Sequence, residues 1–314
     1  MSAQLRFRVV TPVYRDVESF LILRDRVTLY VGLDAPDPEL LRFFVVDDAA
    51  GQDPDIKKVR GLPDVSIVHP PFNLGHQRAI VLALRAIADL LASDDVVITM
   101  DADGEDRPED LPAIIDALVR DDDPWRVVIA RRTEREESLT FRVLYLAFRL
   151  LFRALTGRSV RSGNYAAYRG AYVQSMLFHP SFDLCYSSSL ITLNADPTFV
   201  PCPRGTRYAG HSRMGLEKLL THGVRMLMPF ADRIAIRSLA VCMATVGVTV
   251  LTFAGILVGR LTGAISVSGW WSWPLLAGIV VAGLGLVNFL VLFAGYVQTD
   301  ALSMARIDQR VRVE

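Results

Sequence analysis

Between Ser238 and Thr299 the chain runs for 62 residues with a single charged side chain, Arg260. A bilayer span needs roughly 20 mostly apolar residues. Arg260 divides the run into Ser238–Gly259 and Leu261–Thr299. Each part is long enough to cross a membrane, the second after a loop and from about Pro274 to Val297. Trp270, Trp271 and Trp273 fall where an interface would hold indoles. The competing reading is a buried helical hairpin inside a large soluble core. Arg225, Arg233 and Arg237 precede the run, Arg306, Arg310 and Arg312 follow it, and the connecting loop has only Arg260. That bias places both termini on the cytoplasmic side. The opening MSAQLRFRVVTPVYRD has no signal-peptide apolar region, so residues 1–237 are expected to stay in the cytosol.

The apolar run explains a mean hydropathy of +0.31 in a chain of zero net charge, which gives no reason to expect nucleic-acid binding. The cations are 31 Arg and 3 Lys, a bias that suits oxyanion recognition and equally a GC-rich genome. Cys185, Cys202 and Cys242 have neither disulfide nor zinc spacing and read as small buried hydrophobes.

In the rest of the chain, Arg8–Thr11, Phe43–Asp47, Val96–Met100 and Val127–Ala130 are short β-branched runs typical of buried parallel strands. Helical patterns over Glu18–Val31, Arg78–Leu91 and Pro108–Arg120 alternate with them, so the expected class is α/β with a mostly parallel sheet. Ligands of such sheets bind beyond the carboxyl ends of the strands. That rule draws attention to Thr11–Tyr14, Asp47-Asp48, Asp101-Ala102-Asp103 and Arg131-Arg132.

Asp101, Asp103, Glu105 and Asp106 crowd four carboxylates into six residues. A divalent cation, Mg²⁺ or Mn²⁺, is a natural counter-charge. The alternative is a solvated acidic loop with Asp106 as N-cap of the helix beginning at Pro108.

From Ser138 to Phe182 there is no acidic residue but six arginines. Arg142, Arg149 and Arg153 share a helical face, with Phe141, Leu144, Tyr145, Phe148, Leu151 and Phe152 over much of the rest. Such a helix suits an anionic membrane surface, or is an ordinary packing helix with a solvated arginine face. Leu216–Phe230 reads as a helix along the lipid surface leading into the first span. His211 and His222 read as ordinary histidines rather than metal ligands.

The ordered set VVTPVYRD (Val9–Asp16), VVDD (Val45–Asp48), NLGHQRAI (Asn73–Ile80), MDADGEDRPED (Met100–Asp110), ARR (Ala130–Arg132) and RYAGHSRM (Arg207–Met214) resembles the family-2 glycosyltransferases. It is similar in particular to the branch of dolichol-phosphate mannose synthase and polyprenyl-phosphate glycosyltransferases, many of which carry a C-terminal transmembrane hairpin. The resemblance implies a GT-A-type nucleotide-diphospho-sugar transferase fold over 1–215, an interfacial segment over 216–237, a two-helix hairpin over 238–299 and a cytosolic tail over 300–314. Pro12, Tyr14 and Asp48 would hold base and ribose, with Asp47 supporting the loop and Asn73, Gly75 and Arg78 letting the backbone approach the nucleotide. Asp101 and Asp103 would hold the metal and donor diphosphate, with Glu105, where relatives often have Gln, as a third ligand. Arg131 or Arg132 would reach the acceptor phosphate, with Arg207, Ser212 and Arg213 matching the family's late Arg…Gly-x-Ser-Lys.

Two departures matter. Ala49-Ala50 replaces a frequent Gly-Ser, and Asn164 stands where relatives often carry an Asp regarded as a base. A phosphate monoester, largely ionised at pH 7, needs no base. A hydroxyl acceptor normally does, and Asp183, Asp196, Glu105 and Asp106 are then the candidates. The expectation is therefore an inverting, metal-dependent transferase at the plasma membrane. It would be multi-pass, moving sugar from a UDP- or GDP-linked donor to polyprenyl phosphate. A lipid-linked saccharide acceptor and a non-catalytic membrane adaptor are the alternatives, and a homo-oligomer is left open.

Overall fold

The structure, a computed structural model, describes residues 4–133, 139–159, 162–194, 196–209, 216–264, individual positions between 273 and 295, and 312–313. Two compact units divide the chain. One takes Met1–Leu146, Val160–Pro229 and Asp300–Glu314, the other Ala147–Ser159 and Phe230–Thr299.

In the first unit the strands are β1 (Phe7–Val13), β2 (Leu41–Asp47), β3 (Val65–His69), β4 (Val96–Thr99), β5 (Val127–Arg132), β6 (Ser162–Arg169), β7 (Thr198–Cys202) and β8 (Arg312–Val313). They form one sheet in the order β7-β5-β6-β4-β1-β2-β3-β8. β1 pairs in parallel with β2 and β4, β2 with β3, and β5 with β7. β6 lies antiparallel between β4 and β5, and β8 is antiparallel to β3. The four expected strands are all present. β6 is absent from the apolar pattern because SGNYAAYR offers small and polar residues rather than a β-branched run.

Both faces of the sheet are covered. Helix α1 (Val17–Tyr30) buries Phe20, Leu23 and Val27, with Phe20 edge-on to Phe43 of β2 at 5.8 Å. Each such side chain contributes about 1.5–3 kcal/mol on burial. Helix α2 (His76–Ile87) buries seven of its twelve residues, Ala79 to Leu84 and Ile87, as a helix enclosed on several sides must. Gly75 precedes it at φ +76°, a backbone that L side chains rarely adopt. The helix expected over Pro108–Arg120 begins as a 3-10 turn, Pro108–Asp110, and becomes α3 over Leu111–Val119. Asp106 is not its N-cap: the Asp106 carboxylate accepts from the Asp101 amide at 2.9 Å. Helices α4 (Leu139–Thr156), α5 (Gly170–Met176), α6 (Ser181–Leu184), α7 (Tyr186–Leu193) and α8 (Leu216–Leu227) follow. Cys185 and Cys202 are buried, as expected; the Cys242 side chain lies outside the described residues.

The second unit is dominated by α9 (Ala231–Leu261), reached from α8 through a 3-10 turn, Met228–Phe230. Its 31 residues measure about 46 Å at 1.5 Å per residue, more than a hydrocarbon core of about 30 Å. One continuous segment among the described residues, Thr221–Leu261, is long and apolar enough to cross a membrane, and none of its most apolar window is buried. Ile236, Val241, Met243, Val248, Leu251, Phe253 and Leu261 are all exposed. Within this unit Phe152 of α4 is buried and packs edge-on against Phe230 at 5.4 Å. Arg237 donates to the Ala154 carbonyl at 2.8 Å near the negative end of α4. Phe152 is thus a core residue, whereas Leu146, Leu150 and Leu151 are exposed. Most of the expected second span, with Trp270 and Trp271, lies outside the described residues.

Candidate active site

The carboxyl ends of β1 and β2, the loop after β3 and the start of α2 converge on one cleft of about 310 Å³, lined by Pro12, Tyr14, Asp48, Asn73, Gly75 and His76. Five of these are expected nucleotide contacts. Asp47 and Arg78 do not line it. Asp47 is buried and accepts from the Gly51 amide at 2.8 Å, supporting the turn after β2, and Arg78 sits in the first turn of α2.

Asp48 ties two loops together. Its carboxylate accepts from the Leu74 amide at 2.8 Å and from Asn73 Nδ2 at 3.2 Å, and Asn73 Nδ2 also donates to the Asp48 carbonyl at 2.7 Å. Burial raises the Asp48 pKa above the usual carboxylate value, against the opposing Leu74 and Gly75 amides. Tyr14 is 47% exposed, with the Arg15 guanidinium carbon 5.7 Å from its ring centroid.

His76, which the sequence reading passed over, stands beside Asp101, with Nε2 2.7 Å from Asp101 Oδ1. Its position directly after Gly75 in NLGHQRAI was the available signal. Burial works against the charged imidazole, but the Asp101 carboxylate outweighs it and raises the His76 pKa. Reciprocally, burial opposes the Asp101 charge, yet His76 holds that carboxyl well below its usual range. Asn164 Nδ2 donates to the same oxygen at 3.3 Å.

The carboxylates after β4 each have a cationic partner. Asp103 Oδ2 pairs with Arg207 at 3.0 Å. Glu105 Oε1 accepts from Arg204 Nη2 at 2.6 Å and Arg207 Nε at 2.8 Å. Asp106 Oδ1 accepts from Arg132 Nη2 at 3.2 Å. Burial and the Asp101 charge push Asp106 up to about 7, and the same two causes raise Asp103. Glu105 is lowered by Arg204 and Arg207 against the effect of burial. Like-charge crowding is therefore relieved by one histidine and three arginines, and by itself does not demand a metal. Glu105 is engaged by guanidinium groups rather than grouped with Asp101 and Asp103. Among the described residues no three His, Cys, Asp or Glu side chains form a metal-binding group.

The donor set still fits Mg²⁺ or Mn²⁺ held jointly with a ligand. Such cations take one or two carboxylates plus substrate phosphates rather than an all-protein cage. Both contacts to Asp101 fall on Oδ1, leaving Oδ2 outside them.

Arg132 and Arg207 meet at this acidic loop, and Arg204, three residues before Arg207, joins them without having been singled out. Arg131 precedes Arg132, the last residue of β5, and is partly exposed. Ser212, Arg213 and His211 lie outside the described residues. Of the base candidates, Asp183 is buried on α6 and paired with Arg85, and Asp196 is exposed before edge strand β7, away from the strands' carboxyl ends.

The glycosyl transferase family 2 model matches residues 9–177, more than half of the chain and every residue that lines the cleft. The chain belongs to glycosyl transferase family 2. Its sheet is accordingly the GT-A-type α/β arrangement. Among family relatives, the undecaprenyl-phosphate 4-deoxy-4-formamido-L-arabinose transferase of Yersinia pestis (strain Pestoides F) is 26% identical over 226 residues, 68% of this chain. The Yersinia enterocolitica protein of that name is 25% identical over the same length. The matched region spans 63% of each relative's length. A solved structure of glucosyl-3-phosphoglycerate synthase from Mycobacterium tuberculosis with Mn²⁺, UDP and glucosyl-3-phosphoglycerate is similar at 17% identity. It covers 74% of this chain and 81% of its own, with a TM-score of 0.45. Mannosyl-3-phosphoglycerate synthase from Rubrobacter xylanophilus gives 16% identity, 73% and 74% coverage and a TM-score of 0.47.

Proposed function

We propose that this family-2 enzyme moves a sugar, with inversion, from a nucleotide-diphosphate donor to a polyprenyl phosphate at the cytoplasmic face of the plasma membrane. The observation that carries the reading is the cleft of Pro12, Tyr14, Asp48, Asn73, Gly75 and His76 opening beside Asp101. Tyr14 and Asp48 would hold the base and ribose of a UDP- or GDP-linked donor, leaving the diphosphate toward Asp101 and Asp103. A Mg²⁺ or Mn²⁺ there would neutralise the departing diphosphate.

Arg132, Arg204 and Arg207, with Arg131, Ser212 and Arg213, would bind the acceptor phosphate. An incoming phosphate would take over the arginine contacts now made by Glu105 and Asp106. Arginine forks match phosphate geometry, so positioning an already ionised oxygen against the anomeric carbon supplies much of the rate. The absence of a carboxylate at position 164 supports an acceptor that needs no base. The exposed apolar length of α9, paired with a second span over about 274–297, would keep the enzyme at its lipid substrate.

Asp103→Asn tests the assignment. It should abolish metal-dependent transfer while thermal unfolding stays cooperative, and retained turnover would remove Asp103 from the site.

A further inference from the structure

Asp101 is also reached by a chain of amides that no role above uses. The Ser187 backbone N–H donates to Gln77 Oε1 at 2.9 Å, Gln77 Nε2 donates to Asn164 Oδ1, and Asn164 Nδ2 donates to Asp101 Oδ1 at 3.3 Å. The Cys185 thiol also reaches Gln77 Oε1, at 3.6 Å. Each orientation forces the next. A backbone N–H can only donate, so Gln77 must turn its oxygen to Ser187 and its amino group to Asn164. Asn164 must then present its own amino group to the carboxylate.

The fold supplies this alignment. β6 pairs antiparallel with β4 with Thr99 opposite Ala166, and this register carries Asn164 to the level of Asp101. Thr99 Oγ1 donates to the Asn164 carbonyl at 2.7 Å and meets the buried Tyr186 hydroxyl at 2.7 Å, fixing the start of β6. Gln77 follows His76 on the first turn of α2, so that turn reaches Asp101 twice, directly through His76 and indirectly through Gln77 and Asn164.

We propose that Gln77 and Asn164 are positioning residues that hold Asp101 by Oδ1 so that Oδ2 faces the donor diphosphate and its cation. The proposal rests on the transferase reading and deepens it. Asn164 is then a neutral donor, and an Asp there would set a second carboxylate against Asp101.

The test uses the full chain in detergent with UDP or GDP present, titrated with Mn²⁺ against a nucleotide-only blank and followed by the electron paramagnetic resonance of the free ion. UDP and GDP binding in EDTA is measured alongside. Asn164→Leu and Gln77→Met should each weaken Mn²⁺ binding about 10-fold, the scale of losing an outer-shell partner. The double variant should be no weaker than the weaker single, because both act through one carboxylate. Nucleotide binding without metal should stay within about two-fold of wild type. Gln77 does not touch Asp101, so Gln77→Met carries the test alone if Asn164→Leu fails to fold. Wild-type Mn²⁺ affinity in Gln77→Met would overturn the proposal, as would additive losses accompanied by loss of nucleotide binding, the mark of mere packing. A wild-type protein that binds nucleotide but no Mn²⁺ would contradict the metal reading itself, and the positioning of Asp101 for a cation would fall with it.

Discussion

His76 Nε2 lies 2.7 Å from Asp101 Oδ1, which joins the first residue of α2 to the first carboxylate after β4. The contact links the nucleotide cleft, which His76 lines, to the acidic loop, which Asp101 begins. It also supplies the positive charge that keeps Asp101 ionised despite burial. His76→Ala should therefore lower turnover by about 10- to 100-fold, as loss of an outer-shell partner does. Thermal unfolding should stay cooperative, with a lowered midpoint because the largely buried Asp101 carboxylate loses a partner. Unchanged turnover in steady-state kinetics would dismiss the contact as incidental.

Asn164→Asp separates a positioning amide from a lost base. If Asn164 donates to Asp101, the added carboxylate repels it and kcat should fall about 10-fold. If the position serves as a base in this reaction, the same substitution should raise kcat. Steady-state rates with saturating donor and acceptor decide the sign.

Asp48→Ala removes the acceptor that joins the β2 loop to the start of α2. It leaves the Leu74 amide unsatisfied at a buried position, at a cost of about 1–3 kcal/mol. Urea unfolding should show that loss, and nucleotide binding should fall at least about 10-fold if one charge-assisted contact to the ribose goes with it. Destabilisation without loss of nucleotide affinity would leave Asp48 a structural residue only.

Away from the site, Arg24 grips Asp64 with two 2.7 Å bonds, Nε to Oδ2 and Nη2 to Oδ1, and the Asp64 carboxylate is fully buried. Arg24→Ala should cost about 3–5 kcal/mol by leaving an unpaired buried charge. The double change Arg24→Met with Asp64→Leu should recover much of it. Chemical denaturation of the three proteins measures both, and activity at low temperature should be unaffected.

The legible part of this molecule was whatever carries its own local pattern. β1, β2, β4 and β5 announce themselves as apolar β-branched runs, and the polar residues after them mark the cleft by the geometry of parallel sheets. The cleft residues Pro12, Tyr14 and Asp48 were accessible for that reason, and Asn73 and Gly75 through the resemblance of NLGHQRAI to the family alone. β6 was not, because a strand enclosed by neighbours can be built of Gly, Asn, Ala and Tyr without an alternating pattern. Since β6 brings Asn164 to Asp101, the amide chain was hidden with it. The arginine partners of Glu105 were equally out of reach. Arg204 lies 99 residues away in sequence, and only the folded loops show that four clustered carboxylates are met by His76, Arg132, Arg204 and Arg207.

The central claim is transfer to a lipid phosphate, and the direct measurement is sugar transfer by membranes containing the protein. Radiolabelled UDP-, GDP- and dTDP-sugars would be supplied with Mg²⁺ or Mn²⁺, with and without added undecaprenyl phosphate. The account predicts label in an organic-extractable, mild-acid-labile product only when both metal and lipid phosphate are present. Label transferred equally without lipid phosphate would contradict it in favour of a hydroxyl acceptor, and no transfer from any donor would leave a membrane adaptor.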